Sequence, residues 1–359
     1  MIKYIGSKRT LLPKIVEAVS GFENVRSVLD PFSGTSRVGH ALKGAGYRVV
    51  ATDHNAYAAT LARCYVQCDL ERQGKSAQKL IDEIGSLPGK AGYFTETFCV
   101  AARYVHPKNG ERIDAMREAI ASKCLDPELE AVVLTSLMEA ADRVDSTTGV
   151  QMAYLKQWSK RAHKDLSLRL PALLPRAANG PGLACVADVE ESLAEHVTDL
   201  VYLDPPYNQH SYLGNYHVWE SLVRWDKPEV YGIACKRIDC RERKSDFNSK
   251  RKFRAAFTRL LAAVQSKYLI VSFSDEGFLA RDELEALLAT VGDVSCQEID
   301  YKRYVGAQIG VHNFKGEKVG TVSHLRNKEL IFSVLMRGYP ATVTTPRWVG
   351  VTRGLGEKK

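Results

Sequence analysis

Short apolar runs alternate with helical patterns at the start of the chain. Between residues 8 and 20 the apolar side chains recur every three or four positions, which predicts an amphipathic helix. Apolar runs at 25–29 and 47–52 predict two strands, and the segment 37–45 between them has the pattern of a helix. Strand, helix and strand in this order are typical of a parallel α/β sheet.

The middle of the chain has a different pattern from its two ends. Residues 61–182 carry mainly helical periodicity, and we interpret them as an inserted helical domain, although they could also form a helical layer of the sheet domain. The later segments predict strands at 183–187, 199–203 and 268–274, a helix at 283–291, and antiparallel strands joined by a Gly-rich hairpin between 294 and 334. We therefore expect an α/β fold with helices on both faces of the sheet.

Composition places the chain among ordinary globular proteins. Its 359 residues are 45% hydrophobic and 26% charged, enough for one large domain with an insertion. The net charge of +8 permits a polyanionic partner. The eight cysteines form no Cys-x-x-Cys pair, so we expect neither a metal site nor disulfides. Without an apolar stretch of about 18 residues or a secretory signal, we expect no membrane partner and a cytoplasmic location.

The most informative motif follows the strand predicted at 199–203. Asp204, Pro205, Pro206 and Tyr207 stand where that strand ends, and the prolines turn the backbone stiffly out of the sheet. A carboxylate, a backbone carbonyl and an aromatic ring are thus expected at the edge where open α/β sheets bind ligands. These groups suit a planar ligand with an amino group, such as adenine. The motif could also do no more than end the strand.

A second motif lies at the turn after the first strand. Asp30 begins this turn and Gly34 sits in it, where a residue without a side chain lets a ligand approach the backbone. Asp53 ends the next strand about 20 residues later, the spacing at which an acid can bind a ribose diol. The sequence has no dinucleotide or phosphate-loop glycine motif. A nucleoside without a pyrophosphate is the better prediction, and S-adenosylmethionine fits it.

Three motifs in this order resemble those of the Dam-type adenine-specific DNA methyltransferases. They are Lys3-Tyr4-Ile5-Gly6-Ser7-Lys8, Asp30-Pro31-Phe32-Ser33-Gly34-Thr35-Ser36 and Asp204-Pro205-Pro206-Tyr207. More narrowly, the chain is similar to the branch that includes the FokI-type modification enzymes. The resemblance implies a Rossmann-like methyltransferase sheet formed by residues 1–60 and 183–340. It also implies that the insertion at 61–182 reads the DNA target, and it leaves 341–359 as a tail.

The resemblance also implies roles for single residues. Asp204, Pro205, Pro206 and Tyr207 match the catalytic tetrapeptide. The positions that match binding sites for the methyl donor are Tyr4, Gly6, Lys8, Asp30, Phe32, Gly34, Asp53 and Asp188. Lys8 is expected to pair with the donor's carboxylate. The chain departs from the pattern at Ser36, where many members of the family have a second glycine.

The implied mechanism needs neither a metal nor a covalent intermediate. The target adenine leaves the duplex, and its amine donates hydrogen bonds to the Asp204 carboxylate and the Pro205 carbonyl. Tyr207 stacks on the base. The segment 208–220, with Tyr212, Asn215 and Tyr216 as its best candidates, is expected to close over the base, although it could also be a structural loop.

The implied partner is double-stranded DNA, with or without a cognate restriction endonuclease, in a prokaryotic cell or from a phage. The segment 236–259 contains ten basic residues and three acids, so it could contact phosphates or form a solvated helix face. Two alternatives remain open. The chain could methylate RNA or a protein with the same chemistry, or it could bind nucleic acid on a methylase fold without catalysis.

Overall fold

The computed structural model describes residues 1–302 and 326–338. Seven strands form the main sheet and two form a small hairpin: β1 (Ser27–Asp30), β2 (Arg48–Asp53), β3 (Leu183–Val186), β4 (Leu200–Leu203), β5 (Val230–Tyr231), β6 (Lys236–Arg237), β7 (Tyr268–Ser274), β8 (Gly292–Lys302) and β9 (Arg326–Met336). The Gly-rich hairpin predicted between the last two strands and the predicted tail at 341–359 lie outside the described residues.

The helices follow in chain order: α1 (Leu12–Ser20), α2 (Arg37–Gly44), α3 (Ala56–Ala62), α4 (Leu70–Gly85), α5 (Pro107–Ser122), α6 (Pro127–Arg143), α7 (Val189–Glu195), α8 (Tyr212–Asn215), α9 (His217–Arg224), α10 (Lys250–Ala263) and α11 (Arg281–Ala289). Short 3₁₀ turns lie at Lys8–Thr10, Lys160–His163, Ile238–Arg241 and Asp246–Asn248, and π turns at Arg63–Gln67 and Thr95–Val100.

The main sheet has the order β3-β2-β1-β4-β7-β9-β8. Its first five strands run parallel, whereas β9 runs antiparallel to both β7 and β8. The chain order reverses between β1 and β4, so the loops after these two strands diverge and leave a crevice at their carboxyl ends. This topology confirms the predicted α/β fold and places the motifs after β1 and β4 side by side.

Successive strand residues point to opposite faces of the sheet, and each face is covered by its own helices. Val28 of β1 packs in a cluster with α1 and α2. Leu29, the next residue, packs in a second cluster with α7, α10 and α11. Helices therefore cover both faces, as the sequence predicts. Both faces of the central strands are buried, which explains why these strands appear in the sequence as continuous apolar runs rather than as alternating patterns.

The segment between β2 and β3 is largely helical, as predicted. Helices α3 to α6 pack with α9 around a third hydrophobic cluster, which also includes Ile2. The division of the chain into a catalytic and a target-reading domain stays a prediction. Within the described ranges no helix is long and apolar enough to cross a membrane.

The first eight residues join the helical part to the sheet. The Lys3 ammonium donates to a carboxylate oxygen of Asp145, 2.8 Å away, just beyond the end of α6. The backbone N–H of Ile5 donates to the Tyr216 hydroxyl at 2.6 Å. The Lys8 ammonium forms ion pairs with Asp204, which follows β4, and with Glu329 of β9. This short segment therefore has polar contacts both with the helical part of the chain and with the sheet.

Candidate active site

A cavity of about 690 Å³ opens at the carboxyl ends of the parallel strands. This volume is in the range of small-molecule sites. Ten of the predicted site residues line the cavity: Tyr4, Gly6, Lys8, Asp30, Phe32, Gly34, Asp53, Asp188, Asp204 and Pro206. The folding of the chain thus brings together motifs that are far apart in sequence, because all of them lie at one edge of the sheet.

Gly34 has a backbone conformation that few other residues adopt. Its φ is +49°, in the left-handed region, and a Cβ at this position would lie 3.3 Å from a ring carbon of Tyr4. The backbone N–H of Gly34 donates to a carboxylate oxygen of Asp53 at 3.1 Å. The second oxygen of Asp53 accepts from the N–H of Asn55 at 2.9 Å. Asp53 therefore also holds the turn, besides facing the cavity where we expect a ribose.

Ser36, where many relatives of the predicted family have glycine, also has a positive φ, of 56°. It immediately precedes α2 and is fully buried, and its hydroxyl has no hydrogen-bond partner among the described residues. A serine here keeps the backbone path of a glycine at an energetic cost.

Asp30 is a buried acid with an oxygen that is not satisfied by the protein. Its side chain is 1% exposed, and its Oδ1 has no hydrogen-bond partner in the described part of the chain. Burial raises the pKa of Asp30 well above its ordinary value, and the neighbouring charge of Asp204 adds to the increase. A buried polar atom without a partner indicates a missing ligand group. The ammonium group of a methionine moiety would satisfy it, so the residues present fit S-adenosylmethionine.

Asp204 lies at the end of β4 and forms an ion pair with Lys8. The Lys8 ammonium is 3.0 Å from Asp204 Oδ1 and also bonds to Glu329 of β9. In the structure this ammonium lies between two protein carboxylates, so its expected pairing with the donor's carboxylate stays a prediction. Glu329 is a site residue that the sequence analysis missed. An acid at the start of the apolar run 330–332 was the signal that could have identified it.

The electrostatics of this ion pair favour a charged carboxylate at neutral pH. Burial raises the pKa of Asp204 to about 6, although the Lys8 ammonium acts in the opposite direction. Burial alone would lower the pKa of Lys8, but the carboxylates of Asp204 and Glu329 outweigh burial and raise that pKa well above its usual value. Lys8 is therefore a permanent cation, and Asp204 is ionised above about pH 6.

Pro205 and Tyr207 are not among the residues that line the cavity. Pro205 is buried, and the Tyr207 ring packs against Phe273 with 5.1 Å between ring centroids. The Lys8 ammonium lies 5.5 Å from the centre of the Tyr207 ring. The contacts of Pro205 and Tyr207 with the base therefore stay predictions.

Three tyrosines form a stack beside the cavity. The Tyr4 ring lies between the rings of Tyr212 and Tyr216, with centroid distances of 5.2 and 4.5 Å and nearly parallel planes. Only Tyr212 of the three predicted closing residues lines the cavity, whereas Asn215 and Tyr216 are buried. Tyr212 is therefore the one of these three residues that is placed to touch a ligand.

The basic segment 236–259 has both structural and exposed charges. Arg237 is 2% exposed and binds both oxygens of Asp226 at 2.7 Å. Arg243 donates to Glu220 at 3.0 Å and to the backbone carbonyl of His54. The prediction that this segment contacts phosphates is thus limited to its exposed members. Phe247 of this segment also lines the cavity and meets Phe32 edge to face, a contact that the sequence pattern did not indicate.

Three acids line the cavity on the β3 side, Asp188, Glu190 and Glu191, and they are exposed, unlike Asp30. Asp188 directly precedes α7 and faces the cavity with Glu190, which forms an ion pair with Arg259 at 3.5 Å. In the described part of the chain no group of three or more metal-binding side chains is placed to hold an ion.

Comparison with known proteins gives the family. The family model of D12 class N6 adenine-specific DNA methyltransferase matches residues 4–285. The modification methylase StsI of Streptococcus sanguinis is 30% identical over 327 residues, 84% of this chain and 49% of StsI. The type II methyltransferase M.NlaIII of Neisseria lactamica is 28% identical over 340 residues, 91% of this chain and 99% of M.NlaIII.

The type II methyltransferase M.FokI of Planomicrobium okeanokoites is 30% identical over 312 residues, 81% of this chain and 47% of M.FokI. The chain thus spans about half the length of StsI and M.FokI and nearly all of M.NlaIII. These matches confirm the resemblance that the three motifs indicate, including the similarity to the FokI-type branch. The chain belongs to the D12 class of N6 adenine-specific DNA methyltransferases.

Proposed function

We propose that the protein transfers a methyl group from S-adenosylmethionine to the N6 amino group of an adenine at a specific site in duplex DNA. The observation that carries this proposal is the position of Asp204. Its carboxylate lies in the same cavity as the turn at Gly34 and the acids Asp30 and Asp53. One cavity thus offers acceptors for an exocyclic amine and for a nucleoside donor. Membership of the adenine-methylating family supports the same substrate.

The residues of the chain would act by orientation and charge. When bound, S-adenosylmethionine supplies an electrophilic methyl group. Asp53 would accept hydrogen bonds from the ribose hydroxyls, and Asp30 would accept one from the ammonium group of the donor. Asp204 and the Pro205 carbonyl would accept hydrogen bonds from the adenine amine and hold its nitrogen toward the donor side of the cavity. Such positioned groups are typically worth about 10²–10³ in rate.

The adenine must leave the DNA duplex to reach Asp204, since this side chain lies in a cavity rather than on an open surface. We propose that Tyr212 and Tyr207 contact the extruded base. Tyr212 already lines the cavity, and its ring is supported from behind by Tyr4. Stacking on an aromatic ring is worth about 1–3 kcal/mol per base, which offsets part of the cost of unstacking.

We propose that the protein acts as a modification methylase on cellular DNA in the cytoplasm of a prokaryote or on the DNA of a virus, either beside a cognate endonuclease or alone. The support is the set of relatives, which are modification or type II methyltransferases of bacteria and of Paramecium bursaria Chlorella virus 1. The net charge of +8 is consistent with a polyanionic substrate.

A transfer assay tests the proposal directly. The purified protein is incubated with donor labelled in its methyl group and with duplex DNA, RNA or protein in separate reactions. We expect label only on DNA, and nucleoside analysis should identify N6-methyladenine. Sequencing of methylated DNA from cells that express the protein would identify the target site. Label on RNA or protein alone would contradict the proposal, and DNA binding without any label would favour a binding protein.

A further inference from the structure

Glu329 is a buried acid outside the part of the chain that the family model covers, which ends at residue 285. It lies on β9 opposite Ser274 of β7 and is 1% exposed. An ionised carboxylate in such a place is strongly unfavourable unless other groups compensate its charge. Its neighbours on β9, from Leu330 to Phe332, are apolar and buried. The acid therefore needs a specific partner, and the partner indicates its role.

The partners of Glu329 form a chain of contacts that leads to the cavity. The Ser272 hydroxyl donates to Glu329 Oε1 at 2.7 Å, and the Lys8 ammonium bonds to the same oxygen. The ammonium then reaches Oδ1 of Asp204 at 3.0 Å. Lys8 is 5% exposed, so water competes little for its protons. Two carboxylates thus share one buried cation, and only Asp204 faces the site where we expect the adenine amine.

This sharing has a consequence for Asp204. A carboxylate has two oxygens and about four acceptor positions, and an ammonium on a flexible stem can occupy several of them. With Glu329 also holding the ammonium, Lys8 lies at Oδ1 of Asp204, 3.0 Å away, and other acceptor positions of this carboxylate are left to a substrate. Without that second anchor, the ammonium is free to settle between both oxygens of Asp204 and compete with the amine.

We propose that Glu329 is a positioning residue for methyl transfer, because it holds the Lys8 ammonium away from the acceptor positions of Asp204 that the target amine needs. The inference rests on the proposed function, since it assigns a task within that reaction. It assigns a role in the reaction to a residue of the antiparallel strand β9, which β7 separates from β4, the strand before the Asp204 motif.

The charges around Asp204 determine what a change at Glu329 does. Among the residues that the structure describes, the ionisable groups that face Asp204 are Lys8, Asp30, Tyr202, Tyr207, Tyr212 and Glu329. Lys8 is the one cation of this group, and it lowers the pKa of Asp204, whereas the carboxylate of Glu329 raises it. Removing either charge should therefore shift the pKa of Asp204, in opposite directions for the two residues.

The test compares Glu329→Gln with the wild type under saturating donor and DNA. We expect kcat at pH 8 to fall by about 10- to 100-fold, the usual effect of a small displacement of a reacting group. The acid limb of the kcat profile should shift to lower pH, and Lys8→Met should shift it to higher pH. Donor affinity, measured by calorimetry, should stay within about twofold of wild type in Glu329→Gln. The matched control is Glu298→Gln on the adjacent strand, where the exposed acid pairs with Arg281, and it should change neither quantity.

A kcat and an acid limb of Glu329→Gln that match wild type would overturn the inference, as would a loss of donor affinity that accounts for the whole defect. If the variant does not fold, the ¹⁵N resonance of the Lys8 ammonium in the wild-type protein decides. The inference requires a signal with slow proton exchange, and a rapidly exchanging, free ammonium would refute it. A wild-type protein that methylates no DNA would reject the proposed function, while this resonance would still report on the ion pair.

Discussion

Asp204 is a partly buried acid whose side chain is 20% exposed, and its neighbours determine the pH at which its charge is present. Burial raises its pKa to about 6, and Lys8 limits the increase. A protonated carboxyl would lose most of its strength as an acceptor for the adenine amine. The proposed chemistry therefore depends on the balance between one ammonium and the surrounding acids.

Replacement of Asp204 by alanine should abolish transfer while donor binding largely survives. We expect a loss in kcat of at least about 10²–10³, because a positioned acceptor for the reacting amine is removed. Single-turnover assays measure the loss, and calorimetry measures donor affinity. Asp165→Ala removes an exposed acid that pairs with Lys108, and it should leave turnover unchanged. Near-normal turnover of Asp204→Ala would refute the proposed mechanism.

The pH dependence of kcat should show one acid limb with a midpoint near pH 6. The sign follows from the proposed role of Asp204: the carboxylate is the active form, its pKa is raised by burial, and activity is lost as pH falls through that pKa. Steady-state assays from pH 5 to 8 with saturating substrates would measure it. A profile that stays flat down to about pH 4.5 would show that Asp204 is not buried in the working complex.

Asp53 should contribute to donor binding both directly and through the turn. Its carboxylate accepts from the backbone of Gly34 and Asn55 besides facing the cavity. Hydrogen bonds to charged groups are worth about 1.5–3 kcal/mol, so Asp53→Ala should weaken donor affinity by roughly 10- to 100-fold. Calorimetry with the donor is the measurement. An unchanged affinity would remove the ribose assignment.

At the scale of elements, the turn between β1 and α2 is the most constrained part of the site. It contains two residues with positive φ, Gly34 and Ser36, of which only one is glycine. A side chain in the left-handed region costs about 1–2 kcal/mol. The turn thus keeps a strained backbone conformation, and this conformation would let a ligand approach its backbone.

We expect opposite effects from changes at these two positions. Gly34→Ala should lower the free energy of unfolding by about 1–2 kcal/mol and weaken donor binding, since the new Cβ would meet Tyr4. Ser36→Gly removes a strained residue and an unpaired buried hydroxyl, so stability should not fall. Chemical denaturation measures both. Gly85→Ala, where the new Cβ would meet only Leu168 at 4.0 Å, is the control and should not destabilise.

Much of this architecture could be predicted from the sequence because its signals are local. The strand predicted at 268–274 has the observed bounds, and the strand predicted at 25–29 differs by only one or two residues from β1. The motifs at Asp30 and Asp204 mark strand ends, and parallel strands bring such ends to one edge. The acid Glu329 stands out beside an apolar run, but its contact with Lys8 could not be predicted, since that contact depends on the antiparallel register of β9 and local patterns do not reveal a register.

At the scale of the whole molecule, the structure has one cluster on each face of the sheet and a third among the helices. The third cluster includes residues of α3 to α6 and of α9, and α9 follows the turn at Asp204 in sequence. The helical segment is therefore packed against the elements around the site rather than tethered by a linker. We expect motion between these parts to be restricted.

Binding to DNA should depend on exposed charges at the start of α10. Lys250 and Arg251 are exposed, and neither makes an ion pair with another described residue. Replacing both by alanine should weaken binding to all duplexes alike and reduce the salt dependence of the affinity by about one phosphate contact per residue. Fluorescence anisotropy at several salt concentrations measures it. The control is Lys14→Ala in α1, which removes an exposed lysine that pairs with Glu17, and it should change neither the affinity nor the salt dependence. An unchanged salt slope in the double variant would place the DNA elsewhere.

The segment at residues 3–8 links the helical part of the chain to the edge of the sheet within a few peptide units. Lys3 is tied to an acid just beyond α6, and Lys8 to the acid that we expect to hold the substrate amine. Because these two anchors are only five residues apart, the position of α6 relative to the sheet also fixes how far the Lys8 ammonium can move from Asp204. A loss of the Lys3 contact should therefore be felt at the sheet edge as a less well-held ammonium.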